Sequence, residues 1–484
     1  MMPGKVLFQK TGRLGTVTVI GAEAGLKQLR INDVPEVPTD PGSLMAFHLL
    51  GHLPCLFHPR PRRGLVLCFG AGITTSAMAL HPLERIDAVE VCAEVIEAAA
   101  CFSEENRNIL ADPRLRLIRD ESRHSLEHCR GRYDVVACDS THPRSADSSM
   151  LYTREFYGVV RTRLEPGGVF SQWLPLHGLR ADEFRRILRT FLDAFPQGSL
   201  WFADRFVVLL GPADPLAVDF TLLLRRLSLP PVHEDLAAFH LHDPYALLSC
   251  CLAGPGALAR YTARARPVTD RRGLSLRTTR ARLALDTKPA NVAELLTIQE
   301  SLGAVIPNLP NTRESRNRMA AHVAARRHIL EGRIHCFQGD YGKERACYQK
   351  ALRTVPAHGE AKRLLREAEY NLLLVRAGKH TQARSYATAL ALYRRAARIE
   401  PLRSAPQYNL GVVHIKRGEP AKALAAFRRG LTRAPWDGRI HYGLGLAYFE
   451  LGRPDASRRA LEEALRLDPT LERAARALQY MDTD

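Results

Sequence analysis

The spacing of apolar and polar positions changes along this chain, and each regime predicts a different architecture. At Leu65-Val-Leu-Cys-Phe69 five apolar residues run together, break at Gly70-Ala-Gly72, and resume at helical spacing as far as Leu80. A short apolar run closed by glycine reads as a buried strand, a tight turn and a helix. Residues 86–90, Ile-Asp-Ala-Val-Glu, repeat the strand pattern and end in an acid, and a helix is predicted from 93 to about 106. Leu115–Ile118 and residues 133–139 supply third and fourth strands. Strands alternating with helices predict a parallel α/β sheet with right-handed crossovers.

From about residue 311 the period is helical, with a longer recurrence laid over it. Pro401, Pro435 and Pro469 lie 34 residues apart, and Pro356 precedes them by 45, an insertion of 11. Gly332, Gly411 and Gly445 stand 24 residues before a Pro, and Tyr348, Tyr393, Phe427 and Leu461 stand eight before. The second unit departs from this, with Ala377 in the glycine place and Gly378 one residue late. The pattern resembles the tetratricopeptide repeat, in which glycine lets paired helices cross closely, a large side chain fills the crossing, and proline ends the second helix. Such units stack into an all-α solenoid because one alone cannot bury its apolar face.

A chain of 484 residues suggests two or three domains. The longest uncharged apolar stretch, 65–80, is 16 residues and too short to span a bilayer. The first residues show no signal-peptide core, and ten cysteines are scattered without a CxxC pair, as buried reduced thiols would be. The expectation is a cytoplasmic protein. His233, His240 and His242 lack metal-ligand spacing, so no metal is expected. The charge of +18 is uneven: residues 313–484 hold 33 Lys and Arg against 18 Asp and Glu, while the remainder holds 36 against 33. That asymmetry directs an acidic protein partner to the repeats. No aromatic–basic interleaving accompanies it, which argues against nucleic acid.

Chemistry gathers at the predicted strand ends, where open α/β sheets bind ligands. Gly70 and Gly72 allow close backbone approach, Glu90 ends strand two opposite them, and Asp120, with Glu121 as the alternative, ends strand three. An acid at the first place suits ribose hydroxyls and one at the second an adenine amino group, so the reading is nucleoside binding. The sixth position of the glycine motif is Thr75, and no second mononucleotide half follows, which sets the dinucleotide dehydrogenases aside.

Beyond strand four come Asp139-Ser-Thr-His-Pro143, then Leu151-Tyr-Thr-Arg-Glu-Phe-Tyr157, then Leu164-Glu-Pro-Gly-Gly-Val-Phe-Ser-Gln-Trp173. This order resembles the spermidine synthase (polyamine aminopropyltransferase) family, nearest to the type otherwise fused to transporter helices, over residues 6–270. The resemblance implies a Rossmann-like, adenosylmethionine-type domain at 63–310, preceded at 1–62 by a small β-hairpin region and linking helix, with the repeats at 311–484. It implies decarboxylated S-adenosylmethionine as donor substrate, an amine as acceptor, Asp139 as the base, and an amine end near His142 and Gln172. Four positions depart from the family: His142 and Ile73 replace acids, Glu36 replaces the hairpin Gln, and His48 falls where an acid is expected. Two alternatives therefore stay open, another S-adenosylmethionine-dependent transferase and a catalytically inactive nucleoside-binding scaffold.

Overall fold

The computed structural model describes residues 4–145, 148–215, 219–274, 286–300, 310 and 312–483. Four strands, β1 (Lys5–Gly12), β2 (Gly15–Gly21), β3 (Lys27–Ile31) and β4 (Val34–Pro38), form a small sheet in chain order. Helix α1 (Pro41–Phe57) follows, started by Asp40, whose carboxylate accepts from the Ser43 amide at 3.3 Å and its hydroxyl at 2.7 Å. Pro54 lies inside α1 and cannot donate to the Leu50 carbonyl. The Ser171 hydroxyl donates to that carbonyl instead, at 2.8 Å, so the helix is tied to the sheet where its own ladder is interrupted.

The second sheet holds β5 (Arg63–Leu67), β6 (Arg85–Val89), β7 (Leu115–Ile118), β8 (Tyr133–Cys138), β9 (Leu164–Pro175), β10 (Ser199–Ala203), β11 (Phe206–Pro212) and β12 (Cys251–Ala253). Its order is β12-β10-β11-β9-β8-β5-β6-β7. Strands β5 to β9 are parallel, and the β10–β11 hairpin is antiparallel to β9. Helices α2 (Ile73–Ala79), α3 (Ala93–Ala98), α4 (Ser122–His128), α5 (Arg154–Thr162) and α6 (Ala181–Ala194) connect the strands. The predicted helix to 106 stops at Ala98 and continues as a 3-10 turn, Ala99–Phe102, whose chain is then held by Asn106. Alternate residues enter opposite cores, as the period of a pleated strand requires. Val66, Ala88, Val135 and Ala137 pack with Leu49, Leu53 and Leu56 of α1, whereas Leu65, Leu67, Val89 and Val136 pack with Phe156, Phe184 and Phe191 of α5 and α6. The Leu151–Tyr157 motif is part of this second core, with Tyr152, Phe156 and Tyr157 all fully buried. Five further described helices, α7 (Phe220–Leu227), α8 (Pro230–Ala238), α9 (Pro244–Leu248), α10 (Pro255–Thr262) and α11 (Lys288–Ile298), precede the repeats.

The repeats are four helix pairs: Arg313–Phe337 with Tyr341–Thr354, Gly359–Gln382 with Tyr386–Ile399, Ala405–Lys416 with Pro420–Leu431, and Gly438–Glu450 with Pro454–Leu467. Helix Glu472–Thr483 follows them. The extra 11 residues before Pro401 lengthen one helix, Gly359–Gln382, to 24 residues against the 12 and 13 of the first helices in the next two pairs. A Cβ at Gly332 would overlap the Tyr348 ring, one at Gly411 the Phe427 ring, and one at Gly445 the Leu461 side chain. The recurrent glycine and large residue thus face each other across a helix pair. In the irregular second unit Ala377 takes the glycine place, fully buried and packed in one cluster with Tyr393, so that crossing accommodates a methyl group.

The chain divides into two compact units, one of residues 8–18 and 29–363, the other of 1–7, 19–28 and 364–484. The sheet and the first helix pair belong to the same unit. Within it, Arg333 donates to Asp204 in the β10–β11 turn, with Nε 2.9 Å from Oδ1. Arg326, fully buried, lies 2.6 Å from Glu360 and donates to the Cys250 sulfur at 3.2 Å. Among the described residues no helix is long and apolar enough to cross a membrane.

Candidate active site

Chain order in the parallel sheet reverses between β5 and β8, which opens a crevice at their carboxyl ends. The turn after β5 carries Gly70 at φ +55° and Gly72 at φ +77°, a region that favours glycine. A Cβ at Gly72 would strike Phe69 and Ile109, whereas one at Gly70 would meet only Val37 of β4 at 3.6 Å. The turn is therefore packed from beneath and open in front of Gly70. Asn106 braces it, its amide donating to the Ala71 and Ala99 carbonyls at 2.8 and 2.9 Å.

Glu90 follows β6 and is 8% exposed. One carboxylate oxygen accepts from the Gly70 amide at 3.1 Å and the other from the Cys92 amide at 3.0 Å. Burial raises its pKa, and those amide donors only partly oppose the rise. Each oxygen keeps a second lone pair, which is what two neighbouring ribose hydroxyls require. Glu90→Ala is expected to weaken methylthioadenosine binding by about 1.5–3 kcal/mol, the worth of hydrogen bonding to a charged group. Calorimetry on the full chain would measure it, and equal affinity in the two proteins removes Glu90 from the ribose.

Asp120 and Glu121 lie beyond β7 and are engaged differently. Glu121 caps α4, accepting from the Arg123 amide at 3.0 Å and the His124 amide at 2.7 Å. Asp120 is half-buried and bonds the His124 ring at 2.8 Å. Partial burial works against ionisation, but His124 and the Glu121 amide hold its carboxyl below the usual range. Of the two, Asp120 is the one not spent on starting a helix.

Asp139 leaves the end of β8, its amide donating to the Leu67 carbonyl at 3.0 Å. Its carboxylate accepts from the Thr74 hydroxyl of α2 at 2.7 Å, and the same hydroxyl lies 3.2 Å from the Phe47 carbonyl of α1. Burial pushes the carboxyl up to about 7, against the lowering effect of Thr74. A carboxyl raised so far, beside the glycine turn, is placed to take up and give back a proton near neutral pH.

His142 and Gln172 are placed inside a hydrogen-bonded framework. The His142 Nε2 donates to the His177 carbonyl at 3.0 Å and its Nδ1 accepts from the Arg144 amide at 3.1 Å. Burial lowers its pKa to about 4, so the ring is neutral at pH 7, and neither nitrogen is left for an amine. Gln172 is fully buried and donates to the Ser140 hydroxyl at 3.1 Å, which in turn donates to Tyr152 at 2.8 Å. Both residues fix the loop that follows Asp139. Ile73, 2% exposed, puts an alkyl side chain at the start of α2.

One cluster escaped the sequence reading. His48 and His52, a turn apart on α1, both bond Asp235 Oδ2 of α8, at 2.6 and 2.7 Å. Arg107 donates to Oδ1 at 2.5 Å, and His81 meets His52 at 2.9 Å. Among the described residues His48, His52 and Asp235 are the three side chains with ligand atoms close enough to share a metal ion. With both rings donating to a carboxylate that Arg107 already neutralises, His48, His52 and Asp235 form a hydrogen-bonded network, while the Nδ1 of His81 at its edge is buried without a hydrogen-bond partner. The histidine spacing is visible in sequence, but Asp235 lies 183 residues beyond His52.

The strand order, the open glycine turn and the facing acids can be set beside known proteins. Residues 45–202 match the spermine/spermidine synthase domain. Over 190 residues this chain is 31% identical to the polyamine aminopropyltransferase of Nitrosomonas europaea, an alignment covering 37% of this chain and 57% of that one. Over 236 residues it is 28% identical to the polyamine aminopropyltransferase of Thermotoga maritima, covering 43% and 78%. The chain thus spans between about half and four-fifths of these relatives' length, and they are aminopropyltransferases by name. A crystal structure of spermidine synthase from Thermotoga maritima aligns at 21% identity and a TM-score of 0.39, covering 44% of this chain and 74% of that one. Residues 372–438 and 408–472 match the tetratricopeptide repeat. The synthase-like domain therefore contains the glycine turn, Glu90, Asp120, Asp139 and Gln172, and the repeats lie outside it.

Proposed function

We propose that the synthase-like domain transfers the aminopropyl group of decarboxylated S-adenosylmethionine to an amine and releases methylthioadenosine, while the repeats recruit a protein partner. The observation that carries this reading is Asp139, a carboxyl at about 7 hydrogen-bonded to α2 just past the glycine turn. The acceptor amine, with a pKa of about 10, arrives mostly protonated and must lose a proton before it can attack. Its nitrogen lone pair then displaces sulfur from the adjacent carbon. The carbon–sulfur bond breaks, its electrons neutralise the sulfonium, and methylthioadenosine departs. The carboxylate of Asp139 takes the proton and orients the lone pair. Glu90 holds the ribose and Asp120 the adenine amino group, while His142 and Gln172 shape the amine end by fixing the loop beyond Asp139.

Two features favour a second reading, a transferase using intact S-adenosylmethionine. Ile73 is apolar where the family places an acid for the donor's amine, and His142 is a neutral ring with both nitrogens engaged. Incubation of the full chain with each donor and a panel of amines separates the readings. Methylthioadenosine release with the decarboxylated donor supports the first, and S-adenosylhomocysteine release with the intact donor supports the second. Neither product with any acceptor leaves the inactive scaffold.

The acid–base assignment has its own test. Turnover should rise with pH through a limb near 7, because the carboxyl serves only when ionised. Thr74→Val removes a bond that lowers this pKa, so the limb should move upward. A limb that stays in place would show that a different group titrates.

A further inference from the structure

The positive charge of the repeats is concentrated. Residues 386–431 hold nine Lys and Arg against two acids, Glu400 and Glu419. Both acids are already paired, Glu400 with Arg366 at 3.0 Å and Glu419 with His414 at 2.7 Å and Lys422 at 3.1 Å. Helices Tyr386–Ile399, Ala405–Lys416 and Pro420–Leu431 enclose a groove of about 500 Å³ in this stretch. Arg394 and Arg398 stand one turn apart on its first wall, and Arg429 stands on its third. All three are exposed, and among the described residues none is ion-paired to a carboxylate. Arg429 does reach Gln407, its Nε donating at 3.3 Å. The floor is apolar, made by Ala397 and buried Leu410.

We propose that this groove docks an acidic segment of a partner protein, one that sets an apolar side chain among its carboxylates. The inference rests on the reading that the repeats recruit a partner, and it names the chemistry of that partner and its seat. Guanidinium groups match carboxylates in planar, paired hydrogen bonds, and three of them without a carboxylate partner leave most of that capacity unused. The apolar floor rewards a side chain that a free anion lacks. The one ring in its lining, His414, is held by Glu419 at 2.7 Å, and among the described residues no Phe, Tyr or Trp joins it, so the groove offers no row of aromatic rings for stacking successive bases.

The test uses the full chain and a short fluorescein-labelled peptide of Glu and Asp with one central Leu, read by anisotropy. Binding should weaken at least about tenfold in the double variant Arg394→Glu with Arg398→Glu, since charge-assisted pairs become repulsions. It should weaken also when the peptide Leu is replaced by Ser, and as salt rises from about 0.1 to 0.5 M. Arg476→Glu, on the last helix and paired with Glu472, should bind as the parent does. No binding by the parent, equal binding by the double variant, or tighter binding of a single-stranded oligonucleotide of matched charge would each overturn the proposal. Methylthioadenosine release from small amines should be the same in the double variant and the parent. Loss of the transferase reading would show in that assay alone and leave the peptide result standing.

Discussion

Asp139→Asn should lower turnover at least about 100-fold, the lower range for a positioned acid or base. Asparagine preserves the shape and still accepts from Thr74 through its amide oxygen, so the ends of β8 and α2 should remain where they are. What is lost is the ability to take a proton near pH 7. Methylthioadenosine should bind the variant nearly as well as the parent, because Glu90 and Asp120, proposed for the ribose and the adenine, follow other strands. The pH limb should disappear along with the rate, since the group that produced it no longer titrates. Steady-state release of methylthioadenosine, with binding measured in parallel, tests all three statements. A variant that retains most of its turnover would take the base away from position 139.

The second large effect is on stability. Arg326→Met should destabilise the unit containing the sheet by about 3–5 kcal/mol, the cost of breaking a buried ion pair from one side. Glu360 is 1% exposed and would lose the guanidinium 2.6 Å away, keeping Arg363 as a cationic neighbour, and the Cys250 sulfur would lose its donor. Arg326→Met combined with Glu360→Leu should recover most of the loss, because replacing both charges by apolar groups removes the desolvation penalty as well. Denaturant unfolding of the full chain gives the magnitude, and amide exchange in β10–β12 gives the location. A loss below about 1 kcal/mol in the single variant would mean that water reaches Glu360.

The parallel strands and the repeats were legible because their signals are local. The 65–72 stretch announces its strand and turn within eight residues, and the repeat announces itself by recurrence at 34. Glu90 and Asp139 could be picked out because each sits at the end of a strand whose apolar run is visible. The tertiary partners were not legible. Asp235 meets His48 across 187 residues and Arg333 meets Asp204 across 129, and a single buried acid leaves no periodicity to read. The change of pattern near 311 marks where the repeat helices begin, at Arg313. Residues 313–363 nevertheless pack in the same compact unit as the sheet, since buried arginines hold them there. His142 was equally opaque, because only the folded loop shows that its two nitrogens are spent on backbone groups.

The hydroxyl of Thr74 has one hydrogen and two oxygens within reach, those of Asp139 and Phe47. While Asp139 is ionised, that hydrogen belongs to the carboxylate and the Phe47 carbonyl goes without it. Once Asp139 carries a proton it becomes a donor itself, and the threonine can turn its hydrogen toward the carbonyl. The proton load of Asp139 is thereby copied, one bond further on, into the backbone of α1. An isotope label on the Phe47 carbonyl would make the protonation of Asp139 visible in the infrared, as a stretching band that softens when the carboxyl takes up its proton. The chain would then carry its own optical meter for the chemical step, with no foreign dye near the crevice.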